Sequence, residues 1–259
     1  MVSETQINNF PPAHHIIFIV LFTIAFVSVI SIIGFVLGGK TALFLTEGLI
    51  IVPALIYSIY YKYDLKNIFR LRRVNIQLII ISIFIGLGIS VVSDGLDRLF
   101  QLFLPMPEIF EKQLVESLKI NSMYDFVIIF LSAVIFAGLF EEMLFRGFVQ
   151  KTFEKEFNVT QAILITAFIF GMIHLNPWWL VQITFFGIFL GIMAWKSDSF
   201  IPSMIVHFIN NGLSLIFINS GQESYDWYLY KDQVYIPIIL IAIVVTFLGF
   251  RLFFKICDK

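Results

Sequence analysis

Residues 124–148 read YDFVIIFLSAVIFAGLFEEMLFRGF. From Tyr124 to Phe140 the run is almost wholly apolar, as a helix crossing hydrocarbon would be, yet it ends in two adjacent carboxylates, Glu141 and Glu142, followed by Arg146. Ionisable side chains at that depth are expensive, and they mark a functional site more often than a structural one. A membrane helix with a buried charge cluster is thus the first expectation.

The composition agrees. In 259 residues, 59% are hydrophobic, 17% aromatic and only 14% charged, which leaves too little polar surface for a soluble domain. Apolar blocks long enough to cross about 30 Å at about 1.5 Å per residue recur along the chain. They predict an all-α, multi-pass helical bundle with spans near 14–38, 42–61, 74–93, 124–146, 160–175, 178–195, 200–219 and 233–254. The alternating pattern of a membrane β-barrel is missing. No repeat or second module interrupts the chain, so residues 1–259 read as a single integral membrane domain. The stretch DRLFQLFLPMPEIFEKQLVESL (97–118) predicts helical segments lying on the membrane surface. The polar start, MVSETQINNFPPAHH, has no basic residue and no cleavage pattern after it, so the first span is expected to remain. Cys257 is the only cysteine, so neither an intramolecular disulfide nor a cysteine metal cluster is available. No basic, aromatic-rich soluble module exists to bind nucleic acid; the expected partners are membrane lipid and a protein or peptide substrate.

Basic residues set the orientation. Lys62, Lys66, Arg70, Arg72 and Arg73 crowd the joint between the second and third spans, and the positive-inside rule places that joint in the cytoplasm. Both termini then lie inside, with the cell membrane as the expected location. On this topology Arg146, Lys151, Lys155, Lys196, Arg251, Lys255 and Lys259 join the inner side, against Lys40, Arg98, Lys112, Lys119 and Lys231 outside.

Helical geometry sorts the charges. Glu142 and Arg146 are four residues apart, acid first, and should pair along one face. Glu141 is turned about 100° away and has no partner within its own helix. Ala137 and Gly138 share its face and would leave space beside it. A structural ion cluster tying helices together is the bland alternative, and the unpaired Glu141 is hardest to accommodate in it.

Two more patterns carry imidazoles. Phe170 precedes His174 by four residues, and His207 precedes Asn211 by four, so each pair shares a helix face. His14 and His15 lie at the polar start of the first span, where an interfacial role suffices. If spans four and five form a hairpin turning near Asn158, Glu141 and His174 stand at the same level. The charged sequence QKTFEKEF suggests that this hairpin projects into the cytoplasm and lifts both toward that side. A carboxylate, two imidazoles and an amide in a water-poor cavity suit hydrolysis. Glu141 would take a proton from water that His174 holds, and His207 with Asn211 would donate to the oxyanion. Alternatively Glu141, His174 and His207 bind zinc, leaving an open position for water. No Ser/His/acid or Cys/His nucleophile stands out.

The three patterns together resemble the CAAX-protease and bacteriocin-processing family of intramembrane endopeptidases, which includes the type II CAAX prenyl endopeptidase. The motifs EExxxR, FxxxH and HxxxN occur in order, as Glu141-Glu142 with Arg146, Phe170 with His174, and His207 with Asn211, with FRG intact at Phe145 to Gly147. The resemblance covers about residues 120–215. It implies an eight-helix protease core in which Glu141 is the general base, His174, His207 and Asn211 complete the site, and Glu142 and Arg146 support it. It leaves open a divalent metal such as zinc, and a substrate that is lipidated or a bacteriocin precursor. The alternatives are a non-catalytic immunity or scaffold protein of the same family and, in another class, an ion or proton transporter.

Overall fold

The computed structural model describes residues 10–258; residues 1–9 and Lys259, which entered the charge count, lie outside the described residues. The helices run in the order α1 (Ala13–Leu37), α2 (Gly39–Leu49), α3 (Val52–Tyr60), the single turn α4 (Leu65–Ile68), α5 (Ile76–Gln101), α6 (Glu108–Leu118), the long α7 (Met123–Glu156), α8 (Val159–Ile173), α9 (Leu180–Ser197), α10 (Ile201–Asn219) and α11 (Ile236–Cys257). A two-residue hairpin, Leu229–Tyr230 against Gln233–Val234, lies between α10 and α11. The all-α, multi-pass bundle read from the sequence is what forms.

Seven helical stretches among the described residues are long and apolar enough to cross a membrane, counting α2 and α3 as one. The break between those two has a local cause: Pro53 opens α3 and has no N–H to continue the ladder from α2. The eighth expected span is α8, whose 15 residues reach only about 22 Å at 1.5 Å per residue. It stops at His174, where Leu175 turns into the left-handed region at φ 51°. Helix starts are written in the sequence as side-chain caps. Asn75, Ser122 and Asn158 accept from the main-chain N–H of Leu78, Asp125 and Gln161 at 2.8, 3.1 and 2.9 Å, opening α5, α7 and α8.

Helix α7 is wound as a π-helix over Phe130–Glu141 and again over Met143–Val149, with Glu142 as the joint. Such widened turns are rare and concentrate at functional sites. Outward faces are apolar, as lipid requires: Phe18, Leu21 and Phe22 on α1 and Leu240, Val244 and Phe247 on α11 are all exposed. Inside, Phe145, Phe148, Phe153 and Phe170 pack with Ile16 and Phe69. Two glycines permit the tight crossings. A Cβ on Gly147 would come within 2.8 Å of the Phe69 main chain. Gly138, expected to leave room beside Glu141, is instead filled against the Phe208 ring; of the two small residues only Ala137 lines open space.

The α7–α8 hairpin end of the bundle is closed by charge. Arg70 is 1% exposed. Its Nη1 donates to the Arg146 carbonyl at 2.9 Å, its Nη2 pairs with Glu154, and its Nε reaches Asp198 at 3.3 Å. Asp198 also binds Lys151 and, at 2.7 Å, Arg72. The Ser199 hydroxyl donates to the Arg72 carbonyl at 2.6 Å, so α7, the turn between α9 and α10, and the basic joint are stitched together at this end. Of the stretch expected on the membrane surface, Asp97–Gln101 instead continue α5, and α6 buries none of its residues.

Candidate active site

The charged end of the 124–148 stretch meets both histidine motifs. Glu142 and Arg146 are fully buried, with Oε1 of the first 2.9 Å from Nη1 of the second. Their expected pairing along α7 is present. The same Oε1 also lies 3.0 Å from Nδ1 of His207 on α10, so Glu142 joins the first motif to the third. Nη2 of Arg146 donates to the Gly187 carbonyl of α9 at 3.3 Å. Phe170 covers this group: the Arg146 guanidinium carbon stands 4.1 Å from its ring centre, and both the His174 and His207 rings meet it edge-on. The aromatic of FxxxH is therefore a lid over the ion cluster as well as a neighbour of its own histidine.

His174 follows the last residue of α8, and its Nδ1 lies 2.7 Å from the Phe170 carbonyl. A carbonyl only accepts, so Nδ1 carries the hydrogen and Nε2 is left as a lone-pair acceptor. His207, donating from Nδ1 to Glu142, is held in the same sense. Asn211 gives one N–H to the Ala133 carbonyl of α7 at 2.8 Å, and its Oδ1 accepts from Asn210 at 3.3 Å. One of the two hydrogens that an oxyanion could use is thus already committed.

Glu141, His174, His207 and Asn211 all face one cavity of about 1660 Å³, with Phe170 and Ala137 in its wall. A second cavity of about 370 Å³ between α1, α2 and the end of α8 shares Glu141 and His174 with it. Both contain Glu47, which the sequence reading passed over. Glu47 comes from α2 and lines both cavities together with Glu141. Each of the two carboxyls keeps one buried oxygen, Oε2, with no protein partner. The signal was present in the sequence, because Glu47 is an ionisable residue in the middle of the apolar run ALFLTEGLI.

The hairpin was expected to lift Glu141 and His174 toward its own side, but their cavity does not open at that end. That end is filled by the Arg70 and Asp198 ion pairs, and the large cavity instead runs the other way, past Asp97 and Arg98 on α5 to Glu111 on α6. The zinc reading was tested on the donor set. Among the described residues no three of His, Cys, Asp and Glu converge as a metal centre, since Glu142 rather than Glu141 stands against His207.

No curated protein and no solved structure matches the chain. Residues 123–213 match the family model described as Type II CAAX prenyl endopeptidase Rce1-like, and this segment holds all three motifs and every residue of the cluster except Glu47.

Proposed function

We propose that this chain is an intramembrane endopeptidase in which Glu141 activates water. The match of residues 123–213 to the Rce1-like family model supports proteolysis; the residue roles rest on geometry. Glu141 accepts a proton as the water oxygen bonds to the scissile carbonyl carbon, while the Nε2 lone pair of His174 holds the water's second hydrogen. Negative charge then gathers on the former carbonyl oxygen. The remaining N–H of Asn211 and, when its ring carries a second proton, Nε2–H of His207 donate to it. The carbon–nitrogen bond breaks as the proton on Glu141 passes to the leaving amine, and Glu47 offers a second carboxyl through which that proton can be held. Glu142 and Arg146 stay fixed and orient His207. The substrate is a membrane-associated protein or peptide.

The observation that carries this reading is the convergence of Glu141, with an unpartnered buried oxygen, and the free Nε2 edge of His174 on one cavity. It is tested by assaying purified protein in lipid nanodiscs against a quenched fluorescent peptide library. Cleavage that persists undiminished in Glu141→Gln would sink it. An immunity or scaffold role would instead leave the phenotype intact in Glu141→Ala and His174→Ala proteins shown to be folded.

A further inference from the structure

The two ends of the bundle are unlike. Every helix that reaches the large cavity contributes the half that points away from the basic joint at residues 61–75. Helix α5 lines it from Ser90 to Gln101, α10 from His207 to Ile218, and α2 from Lys40 to Glu47. The far rim is built from α6 and the α10–α11 connection, where Tyr228 donates to Asp94 at 2.8 Å. The near end is shut. Arg70, Glu154, Asp198, Lys151 and Arg72 form a connected set of ion pairs there, and Phe69 and Phe148 stack beneath it at 5.8 Å.

Charge follows the same division. At the shut end among the described residues stand Lys62, Lys66, Arg70, Arg72, Arg73, Lys151, Lys155, Lys196, Arg251 and Lys255. The open end has Lys40, Arg98, Lys112, Lys119 and Lys231. Three contacts fix which end the outlying residues belong to. Glu156 accepts from the Ala13 main chain at 2.6 Å, Lys155 lies over Phe10, and Lys196 pairs with Asp258. The starts of α1, α8 and α10 and the ends of α7, α9 and α11 are therefore all at the shut end. Basic residues are retained on the cytoplasmic side, so the shut end is the cytoplasmic one.

We infer that the catalytic cavity opens on the extracytoplasmic face, and that its substrate is a polypeptide segment presented at the outer leaflet rather than one carried on the cytoplasmic surface. The substrate half of this rests on the endopeptidase reading; the orientation half does not. A prenylated cytoplasmic protein would meet the closed, ion-paired end and find no way to Glu141. An exported or surface-bound peptide would meet the rim formed by α6 and descend along α5 and α10. The substrate class is therefore exported peptides and extracytoplasmic segments of membrane proteins.

The test begins from a Cys257→Ser background, which removes the only thiol. Ser117→Cys and Lys112→Cys place thiols on exposed positions of α6, and Lys66→Cys places one at the shut end. Intact cells are treated with a membrane-impermeant maleimide. The expected result is labelling of both α6 variants without permeabilisation and of Lys66→Cys only after it. The reverse pattern overturns the inference whatever the proteolysis shows, and having two α6 variants guards against one that misfolds. In parallel, a membrane-impermeant quenched fluorescent peptide library is added to right-side-out and inside-out vesicles, with Glu141→Gln as blank. Cleavage at least tenfold faster in right-side-out vesicles is expected. Cleavage confined to inside-out vesicles overturns the substrate assignment. Absence of cleavage in both, with labelling as expected, overturns the endopeptidase reading and leaves the orientation standing.

Discussion

Oε1 of Glu142 lies 3.0 Å from Nδ1 of His207, and this contact makes the second glutamate of the EExxxR motif a bracket between α7 and α10. It also holds Arg146 at 2.9 Å, so one fully buried carboxylate pairs with the guanidinium and positions the imidazole.

Removal of any member should be felt as lost stability. Breaking a buried pair leaves an uncompensated charge at a cost of about 3–5 kcal/mol. Glu142→Ala and Arg146→Ala are expected to lower the Tm in detergent well below that of Glu141→Gln, which removes no ion pair. Equal Tm values for the three proteins would contradict the assignment of Glu142 and Arg146 to structure and Glu141 to chemistry.

The two cavity carboxyls should separate kinetically. Loss of a general base commonly costs about 10²–10⁴ in rate, and Glu141→Gln is expected to fall in that range with its Tm preserved. Glu47→Gln should lower kcat by about tenfold or more, again with Tm preserved and with little change in KM, because Glu47 adjoins Glu141 rather than the rim. A Glu47→Gln protein with wild-type kcat would show that α2 merely walls the cavity.

Acid should loosen the closed end first. Burial alone would raise the Asp198 carboxyl, but the bond to Lys151 and the charges of Lys151, Arg70 and Arg72 outweigh it and hold the group below its ordinary value of 3.8. With the folded value below the unfolded one, Asp198 stabilises the protein above about pH 4 and loses that contribution as pH falls through the folded value. Asp198→Asn tolerates the left-handed backbone at this position, φ 47°. It should be less stable than wild type at pH 7, with the difference shrinking below about pH 4. A difference that does not change with pH would remove Asp198 from the seal.

Metal dependence is decided by elemental analysis beside a chelator titration of peptidase activity. Activity is expected to persist in protein shown to hold no metal, because Glu141, His174 and His207 do not converge as ligands. Stoichiometric zinc that disappears in both His174→Ala and His207→Ala, together with activity, would establish a metalloprotease.

The spans were legible because each is a long apolar run, most of them with a cap or proline at the start, and the motif residues were legible because charge is rare in such runs. What the sequence hid was whatever depends on a second helix. Glu47 satisfied the same criterion that singled out Glu141, but nothing local joined α2 to α7. The Glu142–His207 contact spans 65 residues, and helical spacing speaks only for neighbours three or four apart. The direction of the cavity was misjudged for a related reason. The charged residues of QKTFEKEF read as a solvated projection, whereas Glu154 and Lys151 turn inward to Arg70 and Asp198. The short α8 was legible too: the expected 160–175 lies within two residues of Val159–Ile173 at each end.

Helix α6 touches the rest of the chain lightly. Its Phe110 rests 5.2 Å from Trp178, and just beyond its end the side chain of Asn219 donates to the Leu118 carbonyl at 3.1 Å and accepts from the N–H of Ile120 at 2.7 Å. A segment with so little buried surface opens at a free energy far below that of global unfolding. Its amides should exchange with solvent long before those of α7. The doorway can then fluctuate while the charged cluster stays rigid, so that what admits a peptide and what cleaves it obey separate energetics within one small protein.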